Sequence, residues 1–173
     1  TVEQNAPDML LALIGDPKQA IYAFRGADIH SYLQARQACE GRIYTLGNNF
    51  RSTADMVAAV NHVFSWAEQY KAGGAFLFRR EEGEGGVRNP VPFHPVRAAR
   101  NPGQFVVGGQ AQVALTIWCE PRAEVTANDI AAACASEIVR LLQLGQQGRA
   151  GFQMSGGFEP LRARDIAILV NTH

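Results

Sequence analysis

A run of polar and aromatic side chains follows the apolar segment Leu10–Ile14, whose end is marked by Gly15 and Asp16. The side chains that could do chemistry in this run are an amide, two rings, a guanidinium and a turn glycine: Gln19, Tyr22, Phe24, Arg25 and Gly26. A protein core needs none of these polar groups at the end of a strand, whereas a site for phosphate and a nucleobase could use all of them. Ligands of open α/β sheets bind beyond the carboxyl ends of strands, which is where this run would lie.

A second run, Thr45–Ser52, places the ring of Phe50 and the guanidinium of Arg51 between a predicted strand and a predicted helix. Phosphoryl transfer spreads negative charge over the γ-phosphate oxygens, and a positioned arginine stabilises that charge. The neighbouring ring could stack on a base. Taken alone, Arg51 could equally be a solvated arginine at the start of a helix.

The two runs resemble two motifs of superfamily 1 DNA helicases of the UvrD/Rep type. The segment Ile14–Asp28 is similar to the third motif, and its wording is most similar to the RecB-type branch of the family. Thr45–Ser52 is similar to the fourth motif, usually written Asn-Tyr/Trp-Arg-Ser. Phenylalanine at position 50 departs from that pattern but keeps the flat ring that stacking needs.

The resemblance implies a role for each candidate residue. Gln19 would sense the γ-phosphate, Phe50 would stack on adenine and Arg51 would contact the γ-phosphate, so Gln19 and Arg51 are the candidate catalytic residues. Phe24 and Arg25 would contact single-stranded DNA. Tyr22 would either contact DNA or only pack beneath the loop. Asp16 and Lys18 would fix the loop through hydrogen bonds and charge.

The resemblance also implies a fold and a parent enzyme. The fold would be α/β, with a partial RecA-like parallel sheet flanked by helices. Residues 1–30 would end the first motor domain, and residues 31–173 would begin the second. The parent would be an ATP-dependent DNA helicase and exonuclease that processes DNA ends in double-strand break repair. Its cofactors would be ATP and Mg²⁺, its substrates single-stranded and duplex-end DNA, and its partners RecC-like and RecD-like subunits.

Two alternatives remain open from the sequence. The chain could be a fragment of another UvrD-like or AddA-like helicase. It could also be a non-catalytic module that keeps the same fold for protein contacts. Neither Lys18 nor Lys71 fits a P-loop, and no apolar strand ends in an Asp-Glu pair, so the chain is expected to hold one wall of an ATP site. The isolated chain is therefore expected to be inactive.

Hydrophobic patterning predicts the elements that position these residues. Leu10–Ile14, Ile43–Leu46, Gln112–Trp118 and Asp165–Val170 read as strands, the last as a continuous apolar strand of the parallel kind. Helices are predicted at Ile29–Gln37 and after two capping boxes. The first box is Ser52–Asp55, with an apolar face formed by Met56, Val60, Val63, Phe64 and Ala67. The second is Thr126–Asp129, with an apolar face formed by Ile130, Cys134, Ile138, Leu141 and Leu142 and an end at Gly145.

The glycine- and proline-rich residues 73–109 are expected to form an irregular insertion, with a short hairpin between Phe76–Phe78 and Pro92–Val96. A second glycine-rich loop is expected after Gly145. The formal net charge of zero means that any grip on DNA must come from a local cluster. Three widely spaced cysteines favour reduced thiols and a cytoplasmic location over a disulfide framework. The histidines show no metal-ligand spacing, so no metal site is expected. No apolar run approaches the length of a membrane span.

Overall fold

The computed structural model describes residues 11–19, 29–82, 86–100, 103–119 and 125–170. The chain divides into two units, one formed by residues 1–47 and 64–95 and the other by residues 48–63 and 96–173. Each unit is described by itself. The helices and strands, in chain order, are α1 (Ile29–Ala38), β1 (Asn48–Asn49), α2 (Ala54–Tyr70), β2 (Arg80–Glu82), β3 (Gly86–Arg88), β4 (Arg97–Ala98), β5 (Gln104–Val107), β6 (Gln110–Ala111), α3 (Ala127–Gln146), β7 (Ala150–Met154) and β8 (Gly157–Pro160). The described residues are thus mixed α/β, with one small parallel sheet and two antiparallel ones.

An aromatic cluster holds the first unit together. The ring centroids of Phe64 and Phe76 lie 5.4 Å apart, those of Phe64 and Phe93 lie 5.4 Å apart, and those of Phe76 and Phe93 lie 6.3 Å apart. Val91 is buried. These rings bring the segments before and after the antiparallel hairpin β2–β3 against the last turns of α2. Offset and tilted ring pairs at such spacings add to the stabilisation that burial alone gives.

Glu68 is the polar centre of the first unit. Its carboxylate accepts hydrogen bonds from Ala75 N at 2.8 Å, Asn89 Nδ2 at 2.7 Å and Phe93 N at 3.5 Å. It also pairs with Arg79 Nη2 at 2.6 Å. Burial raises the pKa of Glu68, but the hydrogen bonds from Ala75 and Arg79, with the charge of Arg79, outweigh burial and leave the pKa below its ordinary value of 4.5. Glu68 therefore ties α2 to the loop on both sides of the hairpin.

The second unit has a four-stranded antiparallel sheet in the order β6-β5-β7-β8, with α3 packed on β7. Ala150, the first residue of β7, and Leu161, which follows β8, are buried. Gly145 lies within α3, and a Cβ there would come within 2.3 Å of Leu161 O, so only glycine fits this close approach. α3 begins with a complete capping box, in which Thr126 and Asp129 bond each other reciprocally. That hydrogen bonding, led by the Thr126 side chain, lowers the pKa of Asp129.

The parallel sheet of the second unit joins β1 to β4, with Asn48 opposite Arg97 and Asn49 opposite Ala98. Asn61 on α2 fixes the segment that precedes β4. Its Nδ2 donates to Val96 O at 2.8 Å, and its Oδ1 accepts from Val96 N at 3.2 Å. The Asn61 side chain therefore satisfies both the N–H and the C=O of Val96, as a neighbouring strand would.

The predicted helix at 29–37 and both helices that follow the capping sequences are confirmed. Three details of the prediction are wrong. Thr53 rather than Ser52 caps α2, since Thr53 Oγ1 accepts from Met56 N at 3.3 Å. The buried residue of α2 is Val57, while Val60 and Val63 are exposed. α3 passes through Gly145 to Gln146, and the left-handed residue after it is Gly148, with φ 68°.

None of the four predicted strands forms as predicted. The described residues of Leu10–Ile14 (11–14), and all of Ile43–Leu46, Gln112–Trp118 and Asp165–Val170, contain no β-strand. Their large apolar side chains are exposed, up to 98% for Ile14 and 99% for Leu169. A strand needs a neighbour for its backbone N–H and C=O groups. None of these segments belongs to a sheet of the described ranges, although Gln112 N donates to Phe105 O of β5 at 2.9 Å.

The strands that do form lie where loops were expected. The segment 73–109 contains β2, β3, β4 and β5, and its hairpin is β2–β3 rather than Phe76–Phe78 with Pro92–Val96. The expected glycine-rich loop after Gly145 contains the hairpin β7–β8. β2–β3 and β7–β8 pair with neighbours in sequence, whereas β4 pairs with the distant β1 and β5 with the distant β7. In each case the pairing overrides a composition that is poor in strand-forming residues.

Replacing Glu68 tests the polar centre of the first unit. Glu68→Ala should lower the free energy of unfolding by about 2 kcal/mol, because Arg79, Asn89 and two backbone amides lose their acceptor. Urea denaturation of the chain measures this. Gln69→Ala, at the exposed next position of α2, is the matched control and should change stability by less than about 0.5 kcal/mol. Equal effects of the two substitutions would contradict the assigned role.

The lowered pKa of Glu68 predicts that the stability of the chain depends on pH. Because the folded-state pKa of Glu68 lies below the unfolded value of 4.5, its stabilisation is complete above that pH and is lost as the pH falls through the folded pKa. The stability difference between the chain and Glu68→Gln should therefore shrink on acidification. Denaturation at a series of pH values measures it. A difference that grew toward low pH would show that the sign is wrong.

Candidate functional site

Phe50 and Arg51 lie on a tight turn between β1 and α2 in the second unit. Asn49 Oδ1 accepts hydrogen bonds from Arg51 N at 2.9 Å and from Ser52 N at 2.8 Å. In this kind of turn, the asparagine side chain accepts the hydrogen bond that a backbone carbonyl accepts in an ordinary turn. The Asn49 carbonyl oxygen also accepts from Ala99 N at 2.8 Å, which ties the turn to the residue after β4.

The two candidate side chains are presented to solvent. Phe50 is 63% exposed, so its ring is open to a flat partner. Arg51 is exposed, and no hydrogen bond or ion pair holds its guanidinium within the part of the chain that the structure describes. An exposed ring beside an unpaired guanidinium can stack on a base and bind phosphate oxygens.

Four backbone amides at this turn and at the start of α2 already have acceptors. Asn49 Oδ1 takes the amides of Arg51 and Ser52, and Thr53 takes those of Met56 and Val57. These four amides are therefore not available to bind an anion.

Gln19 lies in the first unit, at the end of the 3₁₀ turn Pro17–Gln19. Asp16 Oδ1 accepts from Lys18 N at 3.0 Å and pairs with Lys18 Nζ at 2.9 Å. The expectation that Asp16 and Lys18 fix this loop through hydrogen bonds and charge is confirmed. Lys18 Nζ also lies 5.8 Å from the centroid of the Phe76 ring, within the range of a cation–π contact.

A further contact positions the start of this loop. A Cβ on Gly15 would come within 3.3 Å of Tyr32 Cδ2, so the backbone of Gly15 lies directly against a ring of α1. The loop of Gln19 therefore contacts two rings of its own unit, Phe76 through Lys18 and Tyr32 through Gly15.

The structure brings Phe50 and Arg51 together on one turn. Gln19 belongs to the other unit. The candidate DNA contacts Tyr22, Phe24 and Arg25 lie outside the described residues. Asn49 has a defined role that the sequence reasoning missed, although an asparagine two residues before Arg51 and ahead of a capped helix is the usual signal of such a turn.

Metal-binding groups are the other feature of a nucleotide site. In the ranges that the structure describes, no three residues among His, Cys, Asp and Glu lie close enough to hold a metal ion. Of the described helices, none is long and apolar enough to cross a membrane.

Comparison with known proteins adds a second line of evidence. Residues 2–40 match the UvrD/REP helicase N-terminal domain family. The RecBCD enzyme subunit RecB of Escherichia coli K12 is 40% identical over 97% of this chain and 13% of its own length. RecB of Buchnera aphidicola from Acyrthosiphon pisum is 35% identical over 93% of this chain and 13% of its own length.

The chain is homologous to one segment of RecB. It spans about 13% of the length of these curated relatives. RecB of Mycobacterium tuberculosis H37Rv is 57% identical over 31% of this chain and 5% of its own length. The RecB-type resemblance of the sequence is therefore confirmed.

Replacing Asn49 tests how the turn is held. Asn49→Ala should speed hydrogen exchange at the amides of Arg51 and Ser52 and lower stability by about 1 kcal/mol, because both donors lose their acceptor. Exchange measured by NMR reports this directly. Asn48→Ala, at the exposed preceding position, is the control and should leave both amides protected. Unchanged exchange in Asn49→Ala would remove Asn49 from this role.

Proposed function

We propose that this chain is a segment of an ATP-dependent DNA helicase and exonuclease subunit of the RecB type, acting on DNA ends in double-strand break repair and recombination. The parent would bind single-stranded and duplex-end DNA and assemble with RecC-like and RecD-like subunits. Homology over nearly the whole chain supports the assignment to this kind of protein. The exposed side chains of Phe50 and Arg51 support a role of this segment in nucleotide binding.

The observation that carries the proposal is the exposed ring of Phe50 next to Arg51, whose guanidinium has no partner among the described residues. A ring in that position stacks on the adenine of ATP, and the guanidinium neutralises charge on the γ-phosphate. Such an arginine needs a fixed backbone, since a misplaced charge contributes little to the transition state. The Asn49 turn supplies that fixed backbone.

Gln19 senses the γ-phosphate from the loop that follows Asp16. The ion pair of Asp16 with Lys18 and the contact of Lys18 with Phe76 stiffen that loop. Phe24 and Arg25, with Tyr22, contact single-stranded DNA a few residues further along the same run. Because nucleotide and DNA contacts would lie on one short segment, ATP turnover would change the affinity for single-stranded DNA.

The unpaired apolar segments support a RecA-like fold in the parent. Residues 11–14, 43–46, 112–118 and 165–170 are rich in apolar side chains, and most of these side chains are exposed in this chain. A parallel sheet buries strands of this kind on both faces. We propose that strands elsewhere in the parent pair with these segments. Residues 1–30 would then end the first motor domain, and residues 31–173 would begin the second.

ATP and Mg²⁺ are the proposed cofactors of the parent. The ring of Phe50 and the guanidinium of Arg51 fit the base and the phosphates of a nucleotide by their chemistry. Mg²⁺, when bound, would neutralise phosphate charge through ligands supplied by other parts of the parent. This segment contributes a stacking surface, a cation and the fixed turn that carries both.

Replacing Arg51 tests the nucleotide assignment. In the full-length parent, Arg51→Ala should lower kcat for DNA-stimulated ATP hydrolysis at least about 100-fold while nucleotide binding weakens far less, because the lost charge acts mainly in the transition state. Arg149→Ala, which removes an exposed arginine between α3 and β7 of the second unit, is the control. A near-normal kcat in Arg51→Ala would refute the assignment.

Replacing Phe24 separates DNA contacts from nucleotide contacts. Phe24→Ala in the full-length parent should weaken single-strand binding by about 1–3 kcal/mol, the cost of one lost stack. ATP turnover should then be uncoupled from unwinding. Fluorescence anisotropy with a single-stranded oligonucleotide measures the first effect, and an unwinding assay measures the second. Phe24→Trp, which keeps a stacking ring, should restore both; unchanged binding in Phe24→Ala would make Phe24 a packing residue.

A further inference from the structure

The parallel pair β1–β4 places a second arginine at the edge that carries Arg51. β1 ends at Asn49 and β4 at Ala98, and these two residues are partners in the register. Arg51 lies two residues beyond the first, and Arg100 lies two residues beyond the second. The carboxyl ends of parallel strands meet at one edge, which is where ligands of α/β sheets bind.

The segment that carries Arg100 is held at two points. The Asn61 side chain exchanges two hydrogen bonds with the backbone of Val96. Ala99 N donates to Asn49 O at 2.8 Å, so the residue immediately before Arg100 is bonded to the residue that closes the Arg51 turn. The backbone positions of the two arginines are therefore coupled through Asn49.

Neither guanidinium has a partner among the residues that the structure describes. Arg100 is exposed, and in the described ranges neither Arg51 nor Arg100 forms an ion pair or a side-chain hydrogen bond. Two like charges at one edge repel each other unless an anion lies between them. The amides of Arg51, Ser52, Met56 and Val57 are already bonded to Asn49 and Thr53, whereas the two guanidiniums are charged donors available to such an anion.

We propose that Arg100 is a second phosphate-binding residue, which acts with Arg51 on the phosphates of the same nucleotide. This inference rests on the proposed function of Arg51 and Phe50. The ligand is a nucleoside triphosphate because the ring of Phe50 lies on the same turn as Arg51 and offers a surface for its base. Phosphate oxygens of DNA share this chemistry, and the experiment separates the two sources.

The test is titration of the full-length parent with a non-hydrolysable ATP analogue, ADP, adenosine and a single-stranded oligothymidylate. Arg100→Ala should weaken binding of the ATP analogue about tenfold, the loss of one charge-assisted contact, and leave adenosine binding unchanged. Arg100→Lys should restore most of the affinity. Arg97→Ala, which removes an exposed arginine at the beginning of β4, is the matched control. It should leave the binding of both the ATP analogue and adenosine unchanged.

Three results would overturn the inference. Unchanged binding of the ATP analogue in Arg100→Ala would remove Arg100 from the nucleotide site. Weaker oligothymidylate binding with unchanged nucleotide binding would assign Arg100 to DNA. Equal losses in Arg97→Ala and Arg100→Ala would indicate general charge attraction. Each of these leaves the proposed function standing, since that function fails only when Arg51→Ala retains a normal kcat.

Discussion

The candidate site depends on the hydrogen bonds of one residue, Asn49. Its side chain closes the turn that carries Phe50 and Arg51, and its carbonyl oxygen holds the residue before Arg100. A long, flexible arginine contributes to catalysis only when its backbone is fixed. The two-residue strand β1 is too short to fix that backbone by pairing alone, so the asparagine side chain supplies the missing rigidity.

Side chains replace missing strand pairing elsewhere in the molecule as well. Asn61 pairs with both backbone groups of Val96, and Glu68 accepts from two backbone amides around the β2–β3 hairpin. Both residues lie on α2, so this helix organises irregular chain through polar contacts as much as through apolar packing. Polar groups this specific stabilise one arrangement of the loops, because losing any partner leaves an unsatisfied donor or acceptor.

Features decided by local chemistry could be predicted from the sequence. The capping box at Thr126 and Asp129 is present as predicted, and so is the loop that Asp16 and Lys18 stabilise. Strands could not be predicted in this way, because a strand depends on a partner that local sequence does not reveal. The apolar segment 165–170 therefore lacks a ladder, whereas the glycine-containing strand β7 pairs on both sides. The types of the site residues could be predicted from the motif. The turn made by Asn49 was missed, although an asparagine ahead of a capped helix is its usual signal.

The central claim is that this segment presents Arg51 to the phosphates of a nucleotide. The most direct measurement is arginine modification by phenylglyoxal in the full-length parent, quantified by mass spectrometry with and without ATP and Mg²⁺. Nucleotide should protect Arg51 and leave the exposed Arg149 as reactive as before. Equal modification of Arg51 in the presence and absence of nucleotide would contradict the account.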